Sequence, residues 1–219
     1  GFLILRERYE MLVPMQFDAN VIKNHGTQAK YRGFICVKND LFLFCCQDIS
    51  KLCLDNDDKS PSIKTIVSRL QSQPTLLKNL EDQYAISYID PPAGDKDPVV
   101  LAAFKRKMES DEAERRVKFN ELTLQLHTKW SALSSSHVLP KFKTVRDKVT
   151  AHIDVSLGDG KYQEIDIRTL GIKWKDIGES IFAMQDIVEL IGLIVRTASF
   201  SWDDLDRQLK KIADDFWRT

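Results

Sequence analysis

The stretch IGESIFAMQDIVELIGLIV, from Ile177 to Val195, decides the fold class of this 219-residue chain. In it Ile177, Ile181, Met184, Val188, Ile191 and Val195 recur at spacings of four, three, four, three and four. An α-helix turns once in about 3.6 residues, so these six side chains make one apolar stripe that has to be covered by other helices. Met184 reads as core filler within it, because a flexible thioether suits an irregular interior.

The same spacing recurs upstream in Phe119, Leu122, Leu126, Trp130 and Leu133. Just before it, ten of the fourteen residues of KRKMESDEAERRVK, Lys105 to Lys118, are charged with both signs mixed, which predicts a solvated length of the same long helix. Ser60-Pro61 and Asp97-Pro98 each place a capping oxygen before a proline at the first helical position. Ser201 with Asp204 predicts a capping box for the last helix. Helices are expected over 2–13, 17–54 with a break near Gly26, 61–72, 75–86, 98–134, 139–153, 174–197 and 202–217. Between Val155 and Ile172 the helical pattern stops, and SLGDGKYQEIDI, with its GDG turn and alternating Ile165 and Ile167, predicts a short hairpin. SYIDPPAGDKD, Ser87 to Asp97, predicts a loop. Neither break reads as an interdomain linker. The expectation is therefore one all-α domain over 1–219, a helical bundle with a short irregular or hairpin insertion.

Apolar residues make up 43% of the chain, enough for a core, and 32 Lys and Arg balance 32 Asp and Glu. No whole-molecule field steers such a protein to a polyanion, so any nucleic acid must be held by a local patch. The longest apolar run, LFLFCC, Leu41 to Cys46, falls far short of the roughly 20 residues that span a bilayer, and no membrane partner is expected. FLIL runs directly into Arg6, Glu7 and Arg8, too short for a signal peptide, and Gly1 in place of Met is expected to mark a processed start. Cys36, Cys45, Cys46 and Cys53 form no C-x-x-C pair and read as buried thiols of a reducing cytoplasm.

His25, His127, His137 and His152 show no HExxH or i,i+4 pairing, and GxGxxG and GxxxxGK[ST] do not occur, so neither metal nor cofactor is expected. In SSSH, Ser134 to His137, neighbouring side chains face apart, and serines before a helix are usually caps. VRDKVTAHID, Val145 to Asp154, remains. On a wheel of about 100° per residue with Val145 at zero, Phe142, Val149 and Ile153 fall at about 60°, 40° and 80°. Arg146 at about 100° and His152 at about −20° flank this stripe on opposite edges, about 9 Å apart along the axis. One helix does not bring them onto one small group, but packing the stripe against a two-fold copy lines a single cleft with both. Lys141, Lys143, Arg146 and Lys148 against Asp147 give the region a local positive charge that attracts phosphate. The plainer reading is an amphipathic helix with a boundary histidine and a surface arginine, favoured if Arg146 pairs with an acid of its own chain.

LPKFKTVRDKVTAHID, Leu139 to Asp154, resembles the signature of HEPN domains, an arginine, a polar residue, a few further positions and a histidine. Arg146, Asp147 and His152 match it with five residues between the ends. CQDISKLCLDNDDKSPSIKTIVSRL, Cys46 to Leu70, and GIKWKDIGESIFAMQDIVELI, Gly171 to Ile191, resemble the segments flanking the motif in HEPN proteins of the abortive-infection type, so the resemblance spans roughly Phe17 to Val195. It implies an all-α bundle, usually a homodimer, and a metal-independent endoribonuclease of toxin or antiviral-defence type with paired motifs at the dimer interface. His152 would be the acid-base residue assisting attack of the RNA 2′-hydroxyl on its own phosphodiester. Arg146 would hold the phosphate oxygens, and Asp147 would orient Arg146 or the histidine of the second copy. Lys141, Lys143 and Lys148 would bind RNA phosphates. The product would carry a 2′,3′-cyclic phosphate, and DNA would be inert. An antitoxin or regulatory protein is a further expected partner. Some HEPN toxins carry a tyrosine two positions after the histidine, where they are modified, but Asp154 stands there in this chain and that control is not expected. Other members bind RNA, nucleotides or protein partners without cutting, and this is the alternative reading.

Overall fold

Side-chain oxygens cap three of the described helices, at Asp18, Ser62 and Asp97. Asp97 Oδ1 accepts the Val99 N–H at 2.8 Å where the long helix opens on Pro98, as the Asp-Pro pair predicts. At the start expected near Ser60 the cap is instead Ser62, whose Oγ accepts the Thr65 N–H at 3.0 Å, so the helix begins two residues late, at Ile63. Ser201 stands at the predicted N-cap, but its hydroxyl donates to Asp204 Oδ2 at 2.6 Å and makes no cap bond to the backbone. The reciprocal capping box is replaced by a side-chain pair.

The computed structural model describes residues 1–25, 28–57, 59–86, 97–147, 155–158, 161–164 and 170–218. In chain order these form α1 (Phe2–Phe17), α2 (Ala19–His25), α3 (Gln28–Leu54), α4 (Ile63–Ser72), α5 (Pro74–Ala85), α6 (Pro98–Ser134), α7 (Leu139–Val145), β1 (Val155–Gly158), β2 (Lys161–Glu164), α8 (Trp174–Arg196) and α9 (Trp202–Trp217). The fold is all-α, with one antiparallel hairpin pairing Val155 with Glu164 and Gly158 with Lys161. The second strand precedes the expected Ile165 and Ile167, which lie outside the described residues.

The first helix runs past Pro14 to Phe17, four residues beyond the expected stop at 13. A proline removes one ladder bond, and burial of Leu12 and Met15 on either side of it offsets that loss. The break falls at Asp18, whose extended backbone (φ −87°, ψ 111°) ends α1. Its Oδ1 accepts the Asn20 N–H at 2.8 Å and the Val21 N–H at 3.3 Å to start α2.

Two compact units divide the chain. Gly1–Thr65, Ala132–Gln185 and Ser201–Thr219 form the first, and Ile66–Ser131 with Asp186–Phe200 form the second. In the first, α1 packs against α3 and α9, and α7 lies along α3. Leu5, Leu12, Ile49, Phe142 and Ile177 are buried there, and Met15, Val21, Phe34 and Trp217 make a smaller apolar cluster. Arg6, read from sequence only as a charge ending an apolar run, is buried as well: it bonds Gln185 of α8 and Asp206 of α9, and Glu10 lies 3.4 Å away.

In the second unit Phe119, Leu122, Leu126 and Trp130 are buried as predicted. The charged run before them is more than a solvated face. Arg115 donates Nε–H to the Tyr84 carbonyl at 2.7 Å with its guanidinium 5.3 Å from the Tyr84 ring, and Arg116 meets Asp82 at 2.7 Å, fastening α5 to α6.

The stripe of α8 holds for its first half, where Ile177, Ile181 and Met184 are inaccessible. Beyond them the buried residues are Ile187, Leu190 and Ile194 rather than Val188, Ile191 and Val195, and Val195 is exposed. Arriving at 194 instead of 195 turns the covered face by about 100°. The turn begins where α8 passes, at Asp186, from the first unit into the second, so each half is covered by its own set of neighbours. Among the cysteines, Cys45, Cys46 and Cys53 are buried as expected, but Cys36 is exposed and its thiol reaches Asp40 at 3.8 Å.

Candidate functional site

The site expected at Arg146 is carried by α7, and the residues before it explain why that helix starts there. Ser136 Oγ accepts the Val138 N–H at 3.3 Å, and Ser135 Oγ donates to the Ala132 carbonyl at 3.2 Å. Ser135 and Ser136 thus close the turn before α7 rather than capping it, since its N-cap Val138 has no side-chain cap bond, and His137 beside them is exposed. The Val138 carbonyl then accepts the Lys141 and Phe142 N–H groups, and Pro140 sits in the first turn where its missing N–H costs nothing. Leu139, Phe142 and Val145 are buried, which fixes the face α7 turns to the interior.

At Arg146 the helix changes character. Its N–H reaches the carbonyls of both Lys143 and Phe142, and Arg146 with Asp147 forms a π-helical turn. Such turns are rare, cost ladder regularity and occur often at functional sites. The predicted placement of Arg146 and His152 on opposite edges of one helix involves residues beyond Asp147. His152, Lys148, Val149 and Ile153 lie outside the described residues.

Arg146 Nε donates to Asp147 Oδ1 at 2.7 Å, and Lys143 Nζ lies 3.2 Å from Asp147 Oδ2. The hydrogen bond from Arg146, joined by that from Lys143, holds the Asp147 carboxyl below its ordinary range, so it is ionised through the neutral region. Arg146 is only 21% exposed whereas Asp147 is 39% exposed. Lys141 points elsewhere, donating to the Gly171 carbonyl at 3.3 Å. Of the predicted residues the structure thus gathers Lys143, Arg146 and Asp147 and directs Lys141 to the segment leading into α8.

An arginine paired with an acid of its own chain is what the plainer reading anticipates. Here, though, the acid is the adjacent motif residue, in the orienting position the HEPN resemblance gives it. Magnitude decides what the pair means. An ion pair this accessible to water is worth at most about 1 kcal/mol, whereas a guanidinium gripping a phosphate makes two parallel charge-assisted bonds. Asp147 therefore steadies Arg146 without locking it away.

One further cation near this segment carries no signal in the sequence. Lys38 of α3 stands 5.2 Å from the ring centroid of Trp174, the first residue of α8. The described grooves lie elsewhere: one of about 540 Å³ is lined by Glu10, Val13, Pro14, Phe17, Lys210 and Asp214 among others. Among the described residues no three His, Cys, Asp or Glu side chains are grouped to hold a metal ion, and no helix is long and apolar enough to cross a membrane.

An all-α fold with Arg146 and Asp147 side by side at the end of a short, lysine-bearing helix agrees with a HEPN-type helical domain. The family described as HEPN_AbiU2, AbiU2, matches residues 2–216, and the chain belongs to this abortive-infection family of HEPN domains. No curated protein and no solved structure matches it.

Proposed function

We propose that the protein is a metal-independent endoribonuclease of toxin or antiviral-defence type, acting on RNA at a composite site formed by two copies of the chain. The observation that carries this reading is Arg146, 21% exposed and bonded to Asp147 at the π turn that ends α7. A guanidinium fixed in direction but exchangeable in partner suits a phosphodiester whose charge grows during 2′-hydroxyl attack. His152, six positions on, supplies a base and then an acid with a pKa near neutrality. Lys143 and Lys141 add positive charge for the flanking phosphates, with Lys148 two positions beyond Arg146. Family membership supports a nuclease-type module in an abortive-infection setting. An antitoxin or regulatory protein is the partner such an activity calls for, and the cytoplasm is where its RNA lies.

The test is incubation of purified protein with structured RNA in EDTA, reading new 2′,3′-cyclic phosphate ends. His152→Ala and Arg146→Ala are expected to lower cleavage by at least about 10²-fold each, with dimer and helical content kept, since losing one charge-stabilising donor typically costs that much. Undiminished cleavage by the His152 variant would remove the mechanism. Tight RNA binding without any new ends would instead favour a non-cutting HEPN module, the second reading.

A further inference from the structure

Lys38 is half-buried on folding, and among the described residues no anion pairs with it. Its ammonium lies over the Trp174 ring, Phe42 one turn along α3 meets the same ring edge-on at 4.8 Å between centroids, and Lys38 is half-buried. Among the described residues no carboxylate lies within 4.0 Å of it, whereas the more exposed Lys78, Lys107, Lys118, Lys129 and Lys143 all have one. Burial accordingly pushes the Lys38 ammonium below its ordinary range. A ring face offsets part of that cost, about 0.5–2 kcal/mol for a cation over tryptophan, and an anion would offset the rest.

The place of Lys38 ties it to the candidate site. It stands on α3, the helix α7 packs against. Gly171, three residues before Trp174, accepts the hydrogen bond from Lys141 at 3.3 Å. Three residues span at most about 10 Å, so one short segment connects the two lysines. Lys141 in turn is about 7.5 Å from Arg146 along the axis of α7. Lys38, Lys141, Lys143 and Arg146 thus lie within the length of a strand of about 4–16 nucleotides, the run that a positive groove commonly tracks.

We propose that Lys38 binds a backbone phosphate of the same RNA strand that Arg146 engages, with Trp174 as the positioning residue that holds its ammonium. This rests on the proposed function for the identity of the strand, and it adds a contact that the HEPN motif does not contain. Phosphate contact by a lysine is sequence-independent and acts through release of counterions, so it has a distinctive reading in salt.

The experiment measures binding of a 2′-O-methyl oligoribonucleotide, which lacks the attacking hydroxyl, across a salt series for the full chain and for Lys38→Ala, Lys38→Gln and Lys38→Arg. Loss of one phosphate contact on a single strand lowers the magnitude of the slope of log affinity against log salt by about 0.7. Lys38→Ala and Lys38→Gln are expected to show that loss, and Lys38→Arg to restore the slope. Trp174→Leu is expected to weaken binding by freeing the ammonium while Lys38→Arg stays near the parent. An unchanged slope in Lys38→Gln, with parental melting, would overturn the assignment. Cleavage of unmodified RNA by the parent protein, measured in the same buffer, separates the two ideas. Cleavage with an unchanged slope removes only the Lys38 site, and a lowered slope without any cleavage keeps the site while removing the nuclease.

Discussion

At the scale of single residues, Gly178 shows how closely α1 and α8 fit. A Cβ at this position would stand 2.6 Å from the Tyr9 hydroxyl oxygen and 3.4 Å from the ring carbon that bears it. Gly178→Ala sets two effects against each other: about 1 kcal/mol gained from helix propensity, and about 1–3 kcal/mol lost by overpacking a rigid neighbour. The overpacking wins while the hydroxyl is present, so Gly178→Ala is expected to be less stable in urea melts by about 1 kcal/mol. In a Tyr9→Phe background the nearest atom becomes the ring carbon, an ordinary contact, and the same substitution should then stabilise by about 0.5–1 kcal/mol. Equal effects in the two backgrounds would show that Tyr9 is not what Gly178 makes room for. Residue identity alone reveals no such pair, because a glycine at mid-helix carries no label for what approaches it. The same limit hid Arg6 and Lys38. Each is a common surface residue in composition, and only the helices laid against it show that it is withdrawn from water. The pairing of Arg146 with Asp147 was legible because the two residues are adjacent in one contiguous motif.

At the scale of elements, the sequence located the helices well because their starts are local events. Asp97 acts within two residues of itself, so its position needs no knowledge of the fold. Where two candidate caps stand close together the competition is settled by packing. Ser62 is itself buried, and Ile63 behind it is part of the core, which draws the helix start two residues past Ser60. Ser62→Ala is therefore expected to destabilise the protein by about 1 kcal/mol, and Ser60→Ala to change it by less than about 0.5 kcal/mol. Thermal melts of the two variants reversed in order would return the cap to Ser60. The stripe of α8 marks the other limit. Periodicity read at a constant 100° per residue is right about which residues face inward only while one set of neighbours covers the helix, and it failed from Ile187 onward for that reason.

At the scale of the whole molecule, the first unit is tied together by a charge that the apolar core surrounds. Arg6 is 1% exposed and joins α1 to Gln185 and Asp206, and its Nε has no hydrogen-bond partner among the described residues. Glu10 shares this interior. Burial raises its carboxyl above the ordinary 4.5, outweighing the lowering by Arg6 and Lys210, while Asp206 adds to the rise. A carboxyl whose folded pKa lies above its unfolded value is more protonated in the folded state between the two. Its contribution is therefore favourable at and below the unfolded value and is lost as pH rises through the folded one. Glu10→Gln fixes the neutral form and keeps an amide oxygen for the Arg6 guanidinium. Relative to the parent, the variant is expected to gain stability as pH rises above the ordinary carboxyl range, with the two nearest each other at the acid end. Urea midpoints at several pH values measure this directly, and parallel curves for the two proteins would show that Arg6 holds Glu10 ionised throughout. The sign separates this group from Asp147, whose lowered carboxyl loses its stabilising pair only below its ordinary 3.8, so the neutral range tests Glu10 and the strongly acid range tests the motif.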